Sequence, residues 1–184
     1  LTVSDALNTG TFDMGYLTGI TTVNLGAGIT GAETISGLVS GSTVTAAVTL
    51  SDALTLGVTG SKAGTTDALT VKLTESGNTD YTSIAVLDVE TLTIDVTEST
   101  ASALNTRAAT LGIASTATAT GAAGGSGASQ TVNIVGTESL TIDTAIAADV
   151  INASGMGARL TTTAGLTMGA AFTATLAIPG QTIT

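Results

Sequence analysis

Carboxylate side chains occur in two settings of this sequence that offer oxygen ligands to a divalent cation. The segment from Glu75 to Asp80 gathers two carboxylates and the amide of Asn78 within one polar loop. Asp95 and Asp143 each follow a run of alternating apolar and hydroxyl residues, where a carboxylate stands beside the carbonyl groups of a turn. Calcium takes hard oxygen ligands of both kinds. We therefore predict Glu75, Asp80, Asp95 and Asp143 as candidate calcium ligands, with simple turn formation as the alternative for the two strand-end aspartates.

Three further acids, Glu33, Glu90 and Glu138, each precede a hydroxyl residue at the start of an apolar run. One interpretation is that they form part of a calcium site or a contact within a lattice. The other is that their carboxylates face solvent or accept hydrogen bonds from the backbone of a turn. The residue pattern favours the second interpretation.

Few residues in the chain are suited to catalysis. The sequence contains no His and no Cys, so Ser-His and Cys-His pairs and zinc centres are excluded. Fourteen acids leave a glycosidase-type carboxylate pair available in principle. Only four basic and four aromatic residues are present to hold a sugar. We predict that the protein is not an enzyme.

The charge balance narrows the range of partners. Four basic residues stand against fourteen acidic ones, giving a net charge of −10, whereas phosphate recognition needs clustered Lys and Arg. No uninterrupted apolar run approaches the roughly 20 residues of a membrane helix. We therefore predict no nucleic-acid partner and no membrane insertion. Such an acidic surface suits an extracellular protein that collects divalent cations, or its acidity only keeps a Thr-rich surface dispersed.

Two segments of the chain are nearly the same strand. Glu90–Asp95 and Glu138–Asp143 match at the Glu, Leu, Thr, Ile and Asp positions and have Thr or Ser at the second. Both alternate hydroxyl and large apolar side chains, which is typical of a strand with one buried face. We predict that their Leu and Ile side chains point inward and their central Thr side chains outward; these residues are Leu92, Ile94, Leu140, Ile142, Thr93 and Thr141.

Repetition of similar strands indicates a stack of similar coils. Thr, Ala and Gly make up half of the 184 residues, a composition that suits a thin aliphatic core built from strands. We predict an all-β fold, a right-handed parallel β-solenoid (β-helix) with short turns. The alternative is an antiparallel β-sandwich.

Some segments lack the alternation of apolar and hydroxyl residues. Ala and Leu residues at helical spacing within Ser99–Leu111 predict a short helix, and Thr144–Ala153 predicts one helical turn, so we expect one or two small helical inserts. The Gly-, Ala- and Ser-rich stretch at about 114–130 predicts a flexible loop. No segment has the length and composition of an interdomain linker, so we expect residues 1–184 to form a single solenoid module. We also expect this module to be a fragment of a longer protein.

Pairs of threonines separated by one residue recur along the chain, as at Thr43 and Thr45, and at Thr91 and Thr93. Stacked in register, such pairs would form a flat array of hydroxyl groups that could bind ice. The spacing between the pairs is irregular, which argues against a flat array. High strand propensity of Thr is the simpler explanation.

Several short phrases carry a family resemblance. Leu87–Ile94, Ile134–Ile142 and, more weakly, Gly31–Ile35 look like the form apolar-x-Gly-apolar-Glu-Thr-apolar-x-apolar, and Asp149–Gly155 is similar to an Asp-Ala-Ser-Gly turn phrase. These phrases resemble the central regions of bacterial surface-layer (S-layer) proteins and of RTX-type secreted adhesins. The resemblance implies an extracellular, cell-surface location. The glycine-rich nonapeptide that binds calcium in RTX rolls is absent, so calcium along the solenoid axis is not implied.

Together these observations predict a secreted structural module of a bacterial extracellular assembly, most simply a surface-layer protein that self-associates into a lattice or filament. A repetitive adhesin or matrix fibre is the alternative, with an ice-binding solenoid ranked lower. The predicted partners are further copies of the chain (a homo-oligomer) and a cell-surface glycan. The predicted cofactor is Ca²⁺, which would relieve repulsion between acidic surfaces.

Overall fold

Strands dominate the computed structural model, which describes residues 1–48, 50–61, 66–74, 80–97, 105–114, 130–142, 147–162 and 167–176. The strands are short, and many alternate buried and partly exposed side chains, as the sequence periodicity predicts. Their bounds are β1 Thr2–Val3, β2 Gly10–Asp13, β3 Thr22–Leu25, β4 Glu33–Leu38, β5 Ser42–Ala46, β6 Ala53–Val58, β7 Ala68–Leu73, β8 Asp80–Leu87, β9 Thr91–Asp95, β10 Asn105–Ala114, β11 Thr131–Gly136, β12 Ser139–Ile142, β13 Ala147–Met156, β14 Leu160–Thr162 and β15 Thr167–Leu176.

The strands alternate between two sheets. The odd-numbered strands form an eight-stranded sheet in the order β1-β3-β5-β7-β9-β11-β13-β15, and the even-numbered strands form a seven-stranded sheet in the order β14-β12-β10-β8-β6-β4-β2. Every strand pair in the described part of the chain is parallel. One odd strand and the next even strand therefore make one coil, and successive coils stack. The predicted parallel β-solenoid is confirmed, and the β-sandwich alternative is wrong.

The core lies between the two sheets. Val44 of β5 pairs with Val71 of β7, which pairs with Ile94 of β9, so apolar side chains stack in columns that run through the coils. Leu92, Ile94, Leu140 and Ile142 are fully buried, and Thr93 and Thr141 are partly exposed. The predicted inward and outward faces are confirmed. Each buried Leu or Ile contributes about 1.5–3 kcal/mol relative to an exposed one, so the columns supply most of the cohesion of the stack.

Both predicted helical inserts are wrong over the residues that the structure describes. Residues 105–111 lie in β10, which pairs with β8 and β12, and residues 147–153 lie in β13, which pairs with β11 and β15. A neighbouring parallel strand on each side offers backbone partners that override the weak helical spacing of Ala and Leu. Residues 99–104 and 144–146, and 115–129 of the predicted loop, lie outside the described residues.

A short helical element occurs elsewhere, between β2 and β3. Met14–Tyr16 forms one turn of 3₁₀ helix, and the Asp13 carboxylate caps it by accepting a hydrogen bond from the Gly15 amide (2.8 Å). Gly37 of β4 packs directly beneath this turn. Its φ is +72°, and a Cβ there would stand 2.3 Å from the Gly15 nitrogen. Glycine at position 37 is thus required by both backbone conformation and close approach.

Candidate functional site

Asp95 is the one predicted calcium ligand whose side chain lies in the described part of the chain. It ends β9 next to Lys72 of β7, with 3.4 Å between the Lys72 Nζ and the Asp95 Oδ2. Its Oδ1 accepts a hydrogen bond from the Thr97 amide (3.0 Å). Asp95 therefore closes a turn, which is the alternative that the sequence left open. It also forms an ion pair that the sequence did not predict.

The other predicted ligands are not brought to Asp95 by any described contact. Glu75 and Asp143 lie outside the described residues, and Asp80 is described only as the first backbone position of β8, paired in register with Arg107. Among the side chains that the structure describes, no three acidic residues come together in a group that could hold a metal ion. The four-residue calcium set remains a prediction.

The three motif acids are buried. Glu33, Glu90 and Glu138 are 4%, 6% and 5% exposed, so the solvent-facing alternative is wrong for all of them. Glu90 Oε2 accepts a hydrogen bond from the Asp67 amide, at 2.7 Å, one coil earlier in the stack. For Glu90, the predicted hydrogen bond from the backbone of a turn is confirmed.

Glu90 belongs to a contact that recurs at the same corner of the solenoid. Its own amide and that of Thr91 both donate to the Asp67 carbonyl, at 3.0 Å each. The Glu90 side chain and backbone thus bond the two polar backbone groups of one residue in the preceding coil. We call this arrangement a carboxylate clamp.

Asp149 forms the second carboxylate clamp, two coils further along. Its Oδ2 accepts a hydrogen bond from the Gln130 amide (2.9 Å), and the amides of Asp149 and Val150 donate to the Gln130 carbonyl (3.0 and 2.9 Å). Gln130 itself reaches back through its Nε2 to the Val89 carbonyl (3.0 Å). Hydrogen bonds to a carboxylate are about twice as strong as neutral ones, so these acids hold coils together. Asp149 and Gln130 could not be predicted as partners from the sequence, because nothing in their spacing marks them as such.

Glu33 lies in an inward column without such a clamp. It pairs with Gly10 of β2 and Leu54 of β6, and its Oε2 is buried with no hydrogen-bond partner. A buried polar atom without a partner costs about 1–3 kcal/mol. Glu33 is therefore a weak point in the core of the even-numbered sheet.

The outward side chains of β3, β5, β7, β9 and β11 form a regular surface, which we call the threonine face. Its central column places Thr22, Thr43, Thr70, Thr93 and Asn133 in direct register across five neighbouring strands. Thr22 is exposed and the other four are half-buried. Parallel strands lie about 4.8 Å apart, so the hydroxyl groups repeat along the stack at that interval.

These threonines are aligned although the spacing of the Thr pairs in the sequence is irregular. Irregular spacing of the Thr pairs was expected to prevent a flat array, yet Thr43 pairs with Thr70, and Thr70 with Thr93. Segments between the strands absorb the differences in length, so the register of the strands is unaffected. The number of residues between two Thr pairs therefore does not predict whether those pairs lie side by side on neighbouring strands of this solenoid.

Charge is almost absent from the threonine face. Within its five strands the charged residues are Lys72 and Asp95, which neutralise each other in the ion pair described above. Exposed or half-buried acids among the described residues lie at other places, mainly corners and turns, and include Asp5, Asp13 and Asp67. A neutral hydroxyl-rich surface thus runs along a chain of net charge −10.

A second surface feature is a cleft of about 550 Å³ beside the 3₁₀ helix. Met14 forms its buried floor, and Leu17, Val39 and Ser40 lie along its sides, with no charged residue in its lining. Tyr16, in the 3₁₀ turn, is 87% exposed. The cleft can accept an uncharged, partly apolar group, and its lining contains no acid or base for catalysis.

Comparisons of the chain with protein-family models, with curated proteins and with solved structures found no match. The resemblance to surface-layer and RTX-type proteins rests on the sequence phrases alone. In the part of the chain that the structure describes, no helix has the length and apolar character needed to cross a bilayer.

Proposed function

We propose that this chain is a structural module of a bacterial extracellular assembly, a surface-layer-type protein that associates with further copies of itself. The observation that carries the proposal is the stack of parallel coils, whose strands form one eight-stranded and one seven-stranded sheet. Such a stack repeats one kind of surface along its length, which suits a lattice contact. The buried carboxylate of Glu90 supports the proposal because it accepts a hydrogen bond from the backbone of the preceding coil and so has a structural role.

Divalent cations are the proposed means of bringing acidic copies together. At a net charge of −10, two copies repel each other unless their charges are screened or bridged. Glu75, Asp80 and Asp143 are the proposed bridging acids. Asp95 joins them only if calcium displaces the Lys72 ammonium from its carboxylate. We propose that the protein works without catalysis.

Electron microscopy and sedimentation velocity with millimolar calcium or with a chelator test this function. We expect ordered sheets or filaments with calcium and their dissolution in chelator. The double variant Glu75→Gln/Asp80→Asn should need more calcium to assemble. Asp5→Asn/Asp52→Asn removes the same charge from the surface and is the matched control. A wild-type protein that stays monomeric at all calcium concentrations would contradict the proposal.

An adhesin or matrix-fibre role is the alternative, and two observations favour particular ligands for it. The in-register threonine column supports binding to an ordered surface such as ice, although the Lys72–Asp95 ion pair interrupts the hydroxyl array. The uncharged cleft beside exposed Tyr16 supports a neutral sugar of a cell-surface glycan. Retention on ice or on immobilised glycan by a monomeric protein would favour this alternative.

A further inference from the structure

We propose that the Glu33 carboxylate and the Asn8 carbonyl hold a calcium ion beside β2. Glu33 Oε2 is the buried oxygen described above, which has no hydrogen-bond partner among the described residues. A Cβ added at Gly10 would lie 4.0 Å from this oxygen and 3.7 Å from the Asn8 carbonyl oxygen. The two oxygens thus border the space that a side chain at position 10 would fill. This site lies within one copy of the chain, so it does not depend on the proposed function.

The carboxylate and the carbonyl are both hydrogen-bond acceptors, so neither can satisfy the other. A buried carboxylate needs a donor or a cation beside it. In the described part of the chain the one ion pair joins Lys72 to Asp95, and Glu33 has no basic partner. Carboxylate and carbonyl oxygens are the hard ligands that calcium takes. A calcium ion between them neutralises Glu33 and binds the carbonyl at the same time.

Backbone hydrogen bonds on both sides of Asn8 hold its carbonyl against the next coil. The Thr30 amide donates to the Leu7 carbonyl (2.8 Å). The Gly10 amide donates to the Ala32 carbonyl (3.3 Å). These bonds fix the two proposed ligands relative to each other before an ion binds. Gly10 is exposed, so an ion can reach the space between the two oxygens from solvent.

A single carboxylate makes this a weak site. Calcium takes about six to eight oxygen ligands, so water completes the coordination of an ion held by these two groups. Calcium sites of extracellular modules have dissociation constants of about 10⁻⁴–10⁻³ M, and we expect a value of about 10⁻³ M here. Calcium at about ten times this concentration should then raise the melting temperature by about 3–6 °C. Magnesium should raise it less, because it gives up its water ligands reluctantly.

Two variants and a matched control test the site in thermal melts, with sodium chloride of equal ionic strength as the reference salt. Glu33→Gln removes the charge and keeps the shape of the side chain. Gly10→Ala places a methyl group beside the two oxygens at ordinary contact distances. Both variants should fold and reduce the calcium-specific shift in melting temperature to about 1 °C or less. Glu138→Gln changes a motif acid that is buried to a similar degree, and it should keep the wild-type shift.

Failure of this site and failure of the proposed function give different results. A shift caused by self-association increases with protein concentration, whereas a shift caused by this site does not. A wild-type shift no larger with calcium than with sodium chloride would mean that water alone lies between the two oxygens, and would overturn the inference. So would a calcium-specific shift that Glu33→Gln or Gly10→Ala keeps in full, or that Glu138→Gln loses. Glu33→Gln should still assemble with calcium as the wild type does, so a wild-type protein that stays monomeric contradicts only the proposed function.

Discussion

The Glu90 carboxylate clamp predicts a large stability loss from one side-chain truncation. In Glu90→Ala the backbone bonds from residues 90 and 91 to the Asp67 carbonyl persist, so the variant isolates the side-chain contribution. The loss includes the bond of 2.7 Å from the Asp67 amide to Oε2, made by a side chain that is only 6% exposed. Hydrogen bonds to charged groups contribute about 1.5–3 kcal/mol, and the orphaned amide adds a desolvation cost. We expect the free energy of unfolding to fall by about 2–3 kcal/mol.

Glu90→Gln separates hydrogen bonding from charge in the same clamp. The amide oxygen of Gln can still accept from the Asp67 amide, so only the charge-assisted part of the bond is lost. We expect a loss of about 1 kcal/mol. Asp5→Ala, at an exposed acid, is the control and should change the stability by less than about 0.5 kcal/mol.

Two measurements check this prediction. Urea titration followed by circular dichroism gives the change in the free energy of global unfolding, provided that the slope with denaturant is the same for all variants. Amide hydrogen exchange measures the change in local stability at the Asp67 amide. The Asp67 amide should lose protection in Glu90→Ala on the order of 30-fold or more. If Glu90→Ala and Asp5→Ala have the same midpoint, or if the Asp67 amide keeps its protection, the clamp does not hold the coils together.

Other positions give further predictions. Glu33→Leu should raise the free energy of unfolding by about 1–3 kcal/mol, because it replaces a buried carboxylate oxygen without a partner by an apolar side chain beside Leu54; a lower melting temperature would contradict this. Gly136→Ala should cost about 3 kcal/mol or more, since φ is +131° and a Cβ would stand 2.5 Å from the Val96 carbonyl carbon. Gly41→Ala is its control in thermal melts: φ is +85° but the space is open, so only about 1–2 kcal/mol of backbone strain is expected. Lys72→Met should cost less than about 1 kcal/mol in urea titration, because its ion pair with Asp95 is partly solvated; a larger loss would mean that the pair stabilises the sheet.

The fold could be predicted from the period-two alternation of apolar and hydroxyl residues in the sequence. Alternation at Leu92 and Ile94, repeated at Leu140 and Ile142, identified the buried face, because a strand with one face in a core has a period of two. The same principle failed for β10 and β13. There, small Ala side chains tolerate either conformation, and pairing with neighbouring coils decides between them.

The candidate site was less predictable than the fold. Burial of Glu33, Glu90 and Glu138 could not be inferred from single positions, since the burial of a side chain in a solenoid depends on the neighbouring coils that pack around it. Asp67, for example, becomes the partner of Glu90 only through the register of β7 and β9. The alignment of the threonine column also depends on the register of the strands. The segments between the strands differ in length, so the register cannot be inferred from residue spacing along the chain.

The topology has a consequence for what happens when the chain is cut. A break between β9 and β10 leaves β10 paired with β8 on the other side of the cut, and β11 paired with β9. The two pieces are thus joined along one strand pair in each sheet, with their apolar columns still stacked. A nicked molecule should therefore keep its shape until it is denatured, and two separately produced pieces divided at this point should recognise each other and reassemble without a covalent link.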